Sequence, residues 1–187
     1  ACASGVTFSG LSDGAHTFAV AAIDAAGNID PTPATFGWTI DTTPPDTSIL
    51  TSPPNPDSAT SVSFTFSSPD VTATFECQLD GGGYTTCTSG VSYSGLADGS
   101  HTFAVRAVDP VGNVDATPAT STWTIDTTIP DTNLLTHPNA LSNVATAAFT
   151  FDSATSNVTF ECRLDGAAYA ACTSPDSYAS LNDGDHT

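Results

Sequence analysis

The sequence repeats itself. Residues 98–132, DGSHTFAVRAVDPVGNVDATPATSTWTIDTTIPDT, restate residues 13–47, DGAHTFAVAAIDAAGNIDPTPATFGWTIDTTPPDT, with 25 of 35 positions identical at a spacing of 85. The same interval carries Cys77 and Cys87 onto Cys162 and Cys172, and Asp98-Gly99-Ser100-His101 onto Asp183-Gly184-Asp185-His186. Self-similarity at a fixed, domain-sized period indicates tandem copies of one module. Residues 46–130 then form one uninterrupted copy, residues 1–45 the C-terminal part of another, and residues 131–187 the N-terminal part of a third. A half-module would leave sheet edges and an apolar face in water. The expectation is therefore a window on a longer repetitive polypeptide, or a unit whose ends neighbouring copies complete.

Period-two alternation runs through the copies, with turn residues between the runs. In residues 46–130, Val62, Phe64 and Phe66 alternate with Ser61, Ser63 and Thr65, and Phe75, Cys77 and Leu79 alternate with Thr74, Glu76 and Gln78. Asp80-Gly81-Gly82-Gly83 reverses the chain toward Tyr84 and Cys87. His101, Phe103, Val105 and Ala107 make the next inward row, and Trp123 and Ile125 the last. In the first part, Val6–Phe8 is expected as a short strand and Phe36–Ile40 as the last strand before a linker stiffened by Pro44 and Pro45. No helical periodicity competes. About seven short strands in about 85 residues predict an all-β fold, an antiparallel β-sandwich of the immunoglobulin or fibronectin type III kind. Glu76 and Arg106 are expected side by side on its outer face.

The cysteines bear on compartment. Two pairs lie ten residues apart, Cys77 with Cys87 and Cys162 with Cys172, symmetric about the glycine turn and without any zinc-type spacing. Disulfides are the reading, and they imply an oxidising, extracellular setting. Cys2 is the period equivalent of Cys87, so its partner is expected upstream of Ala1. No signal-peptide pattern and no membrane-spanning apolar run is present.

Charge excludes partners. The chain has 18 Asp, two Glu, two Arg and no Lys, for a net charge of −18. Two Arg and no Lys against 20 acids give the chain little with which to displace counterions from phosphates, so nucleic acid is not expected as a partner. The same charge argues against an anionic membrane surface. Acidity of this kind serves solubility and keeps copies apart.

Three motifs, FECxLDGxxYxxC, GLxDGxHTFAVxAxDxxGNxD and WTIDTTxPDT, together resemble the Ig-like, fibronectin type III-like tandem repeats of very large bacterial surface and secreted adhesin-type proteins. The resemblance covers essentially the whole chain. It implies an extracellular stalk or fibre module, in proteins whose adhesive or other active domains lie elsewhere.

Few constellations suggest chemistry. Gly10-Leu11-Ser12-Asp13-Gly14 fits a hydrolase nucleophile elbow by letter, but a β turn follows it, and the serine becomes Ala97 and Asn182 in the other copies. The recurring histidines His16, His101 and His186 share the phase of the inward rows and read as corner residues at a strand start, analogous to a tyrosine corner. One Glu per copy offers no carboxylate dyad. The acid-rich junction is the one candidate site. The loop Asp109–Asp115 should meet the incoming linker Asp41–Asp46, so that Asp41, Asp46, Asp109, Asn113 and Asp115 converge with linker carbonyls. Oxygen-rich sites of this kind suit Ca²⁺, and the resemblance implies calcium at such linkers.

The expected function is a structural repeat of a cell-surface stalk, fibre or filament, with neighbouring copies of the repeat as partners. The alternative is an adhesive module with a host or surface ligand at the exposed loops. The near identity of Asp24–Asp30 and Asp109–Asp115 speaks against it. No acid, base or nucleophile pairing survives comparison between copies, so an enzyme is not expected.

Overall fold

A computed structural model describes residues 4–187; Cys2 and the expectation attached to it lie outside the described residues. Among these residues the secondary structure is strand without helix, and no helix is long and apolar enough to cross a membrane. The chain forms two compact units, one ending at Thr127 and the other beginning at Thr128.

The first unit opens with a hairpin, β1 (Gly14–Val20) and β2 (Ala34–Ile40), whose register sets His16 opposite Trp38 and Phe18 opposite Phe36. Seven strands follow: β3 (Ser48–Thr51), β4 (Val62–Ser67), β5 (Thr74–Leu79), β6 (Thr85–Cys87), β7 (Val91–Tyr93), β8 (Gly99–Val108) and β9 (Ala119–Ile125). They make two antiparallel sheets, in the orders β3-β4-β7 and β6-β5-β8-β9.

The alternating rows face each other across these sheets. Val62, Phe64 and Phe66 of β4 are buried, and so are Phe103, Val105 and Ala107 of β8 and Trp123 and Ile125 of β9. Phe64 stacks on Phe103 at 4.0 Å between ring centres, and Trp123 leans on Phe64 at 5.3 Å. Burial of each such ring is worth roughly 2–3 kcal/mol, and these contacts join the two sheets. Glu76 lies directly opposite Arg106, whose Nε and Nη2 both donate to Oε2 at 2.9 and 2.7 Å. The guanidinium sits 4.0 Å over the ring of Tyr84.

Cys77 is bonded to Cys87, with Cα atoms 5.8 Å apart. The bridge locks the neighbouring strands β5 and β6 of the hairpin, though not between directly opposed residues. The register sets Cys87 opposite Phe75 and Thr85 opposite Cys77, so the disulfide crosses the pair diagonally. The cause is the turn. Asp80 and Gly81 hold φ of 50° and 72°, and the Gly82 amide donates to Leu79 O at 3.0 Å. Two successive left-handed residues match the twist of a hairpin, and Asp-Gly is a favoured pair there. Asp-Gly therefore turns the chain one residue earlier than the middle of the glycine run.

Val6–Phe8 is not a strand. Its period equivalent β7 is a strand because it pairs with β4, and no such neighbour lies beside residues 6–8 among the described residues.

The second unit holds β10 (Asn133–Thr136), β11 (Thr146–Asp152), β12 (Phe160–Cys162), β13 (Ala170–Cys172) and β14 (Asp176–Ala179), paired as β10-β11-β14 and β12-β13. Cys162 is bonded to Cys172, and two disulfides indicate a non-reducing environment. Contacts recur 85 residues on. Phe151 meets Phe160 at 5.0 Å as Phe66 meets Phe75 at 5.0 Å. The Thr136–Thr150 hydroxyl pair repeats Thr51–Thr65, both at 2.7 Å.

Candidate functional site

Aspartate in this fold works first as a turn former. A carboxylate two residues upstream of an amide can accept from it, which is the Asx turn. Asp24, Asp30, Asp41, Asp57, Asp70, Asp109 and Asp115 each accept in this way, from Ala26, Thr32, Thr43, Ala59, Thr72, Val111 and Thr117.

The β8–β9 loop carries the most developed case. Asp109 is buried, and its Oδ1 accepts from the amides of Val111, Gly112 and Asn113 at 3.0, 2.7 and 2.8 Å. Its Oδ2 accepts from Asn113 Nδ2 at 2.8 Å. Desolvation pushes the Asp109 pKa up, but the Asn113 side-chain and loop amide bonds outweigh it and hold the group below the ordinary carboxylate value. The same Asn113 Nδ2 donates to the backbone carbonyl of Asp41 at 3.0 Å. Both partners are acceptors, so only the amide NH₂ fits that position.

The loop and the linker therefore meet as expected from the sequence. Not every expected residue joins. Asp41 takes part through its carbonyl, with its own carboxylate accepting from the Thr43 amide at 3.0 Å. Asp46 is exposed and bonds none of the others. Asp115 is buried, and its Oδ1 accepts from the amide and hydroxyl of Thr117 at 2.7 and 3.1 Å. Its Oδ2 has no partner within hydrogen-bond geometry. Desolvation pushes the Asp115 pKa up, but the nearby Thr47 hydroxyl first and Thr117 second hold it below the ordinary carboxylate value. Thr47, also buried, accepts from the Ala107 amide at 2.8 Å and so ties the linker's end to β8.

No three acidic groups of the junction bring oxygens within 4.8 Å of one another, and Asp109's oxygens already face N–H donors. Among the described residues the one cluster with metal-like spacing is Cys162, Cys172 and Asp176, where both sulfurs are in a disulfide.

The histidines occupy the corner before β8. His101 Nε2 lies 2.8 Å from Ala97 O, and Nδ1 lies 2.8 Å from Asp80 Oδ2, with the ring 5.5 Å from Trp123. Asp80 Oδ1 accepts from the Thr102 amide at 2.8 Å. His186 repeats the arrangement with Asn182 O at 2.8 Å and Asp165 at 2.7 Å, and His16 reaches Ser12 O at 2.7 Å and lies 5.5 Å from Trp38. The role is that of a corner residue tied to backbone upstream. The aspartate partner was not foreseen, although its recurrence as Asp165 was visible in the sequence.

Asp13 and Asp98 were likewise overlooked. Asp13 accepts from the Thr42 amide and hydroxyl at 3.2 and 2.8 Å and from the Thr43 hydroxyl at 2.9 Å. Asp98 takes the amide and hydroxyl of Thr127 at 3.1 and 2.8 Å. Ser12, the elbow-like serine, leads into a strand, and its carbonyl is the partner of His16.

One cleft, of about 420 Å³, lies in the second unit, lined in part by Leu134, Phe149, Phe151 and Tyr178. Their equivalents Phe64 and Tyr93 pack on Phe103 and Trp123 in the first unit. The cleft thus corresponds to the face that packs against Phe103 in the first unit. Compared with known proteins, the chain matches no family model, and no curated protein is similar enough to count as a relative.

Proposed function

We propose that the chain is a run of Ig-like, fibronectin type III-like repeats from the stalk or fibre of a bacterial cell-surface or secreted protein, with boundaries near residues 45 and 130. The observation that supports it best is the recurrence of individual contacts at the 85-residue interval. The His101–Asp80–Ala97 corner returns as His186–Asp165–Asn182, and the stapled hairpin returns at Cys162–Cys172. Three strands facing four suits the sandwich such repeats adopt. Contacts that recur so closely serve the module's own fold, which favours a mechanical role over a ligand site. The disulfides and the absence of Lys from an acidic chain suit an extracellular setting. Neighbouring repeats are the natural partners. Rotary-shadowed images of the chain concatenated in multiples test this: length should grow by on the order of 35–40 Å per repeat, from strands of about eight residues at ~3.3 Å plus loops. Compact particles of unchanged length would remove the reading.

Calcium at Asp41, Asp46, Asp109, Asn113 and Asp115 is a separable part of this proposal. It requires Asn113 to turn its amide oxygen toward the linker and Asp109 to release N–H donors. Melting curves in millimolar CaCl₂ and in EDTA decide the point. Coincident curves remove calcium, whereas a clear rise in calcium, reversed by chelator, keeps it.

A further inference from the structure

We infer that the Asp41-Thr42-Thr43 segment is itself a ligand: a docking strip gripped from behind by Asp13 and from ahead by Asn113, which fixes how one repeat follows the next. The inference rests on the tandem-repeat reading and adds the chemistry of the junction. The strip leaves β2 with both threonine amides, both threonine hydroxyls and the Asp41 carbonyl hydrogen-bonded. Thr42 and Thr43 give one amide and two hydroxyl hydrogens to Asp13, a residue of the turn before β1. The carbonyl of Asp41 faces the other way and accepts from Asn113 in the loop between β8 and β9. Four residues later Thr47 is locked to Ala107.

Both jaws exist without the strip's neighbour. The loop Asp24–Asp30 has the same internal bonds as Asp109–Asp115, with Asp24 Oδ1 accepting from Asn28 N at 2.9 Å and Oδ2 from Asn28 Nδ2 at 2.7 Å. Among the described residues Asn28 bonds no linker carbonyl. The loop is therefore pre-formed, and docking orders little beyond the strip, which is the condition for a contact of few hydrogen bonds to hold an orientation. The rear jaw recurs as Asp98 on Thr127. The recurring letters Asp-Thr-Thr thus acquire a reason: a carbonyl presented forward and two hydroxyls presented backward.

The test is a distance distribution in the full chain. Spin labels on ketone-bearing unnatural residues at Thr17 and Ser92, both exposed, leave the cysteines untouched. The unsubstituted chain should give one narrow distance. Asn113→Ala and Asp13→Ala should each broaden it at least twofold, while Asn28→Ala, which breaks the same loop bond where no strip is docked, should leave it narrow. A broad distribution in the parent chain, an unchanged one in Asn113→Ala, or equal broadening in Asn28→Ala would overturn the inference. Side-chain amide exchange gives a second measurement that needs no substitution. The Asn113 NH₂ should exchange roughly fivefold or more slower than that of Asn28, the factor one ordinary hydrogen bond supplies, and equal rates would overturn the clasp. Rod length in images is independent of both readouts, so a failed clasp and a failed stalk are told apart.

Discussion

His101 has an acceptor at each ring nitrogen, a pattern only the doubly protonated ring can satisfy. The Ala97 carbonyl and then Asp80 raise its pKa above the ordinary histidine value, and the side chain is 12% exposed. His186 is raised as well, by Asp165 first and Asn182 O second. A folded pKa above the unfolded one means the stabilisation is complete below about pH 6.5 and disappears as pH rises through the folded value. The carboxylates act in the opposite sense. Asp80, Asp109 and Asp115 are desolvated, yet their hydrogen bonds hold them low, so their contribution is present above about pH 3.9 and lost as acid titrates the folded groups. The melting temperature should therefore peak between about pH 4.5 and 6.5 and decline toward pH 9. In His101→Gln the decline on the alkaline side should shrink, at an overall cost of about 1–2 kcal/mol at pH 6 for acceptors left without a donor. An unaltered pH profile in that variant would show the corner to be indifferent to its charge.

Strands were legible where a row faces a core. The alternations in β4, β8 and β9 became buried rows because the two sheets supply apolar surface to each other. Two features escaped because they depend on registers that no local pattern encodes. Asp80 meets His101 across 21 residues because β5 and β8 set Leu79 opposite Phe103. The cysteine bridge runs diagonally because the β5–β6 pairing is centred on Gly81, one residue before the centre of the glycine run. That bridge closes a loop of ten residues and should contribute about 2–3 kcal/mol, chiefly by restricting the unfolded chain. The Cys77→Ala/Cys87→Ala double variant should keep the all-β circular dichroism spectrum and unfold at lower denaturant by that amount. A loss under about 0.5 kcal/mol would place the strain of the diagonal bridge level with its entropic gain. At the junction, the meeting of loop and linker was legible, but the kind of bond was not. The letters Asp and Asn give oxygen counts, whereas the direction in which Asn113 points its amide depends on Asp109 having already turned the loop.

Over the whole molecule, the composition acquires an internal explanation. A chain with 18 Asp looks built to collect cations, yet seven of them cap the amide two residues ahead, and others hold histidines or threonines. Negative charge is in large part the by-product of many short turns made with one residue type, and its outward effect is mutual repulsion between copies. The two arginines are the counterpart. Arg106 lies over Tyr84 beside Glu76, and Arg163 lies 4.8 Å over Tyr169. With no Lys in the sequence, they are also the sole positions trypsin recognises. In the folded chain Arg106 lies within β8 and should resist cleavage, whereas Arg163 is exposed just past β12 and should be cut first. After reduction and denaturation these 187 residues offer trypsin only two cuts, after Arg106 and Arg163, so peptide mapping would overlook this stretch unless a protease selective for aspartate or aromatic residues were used.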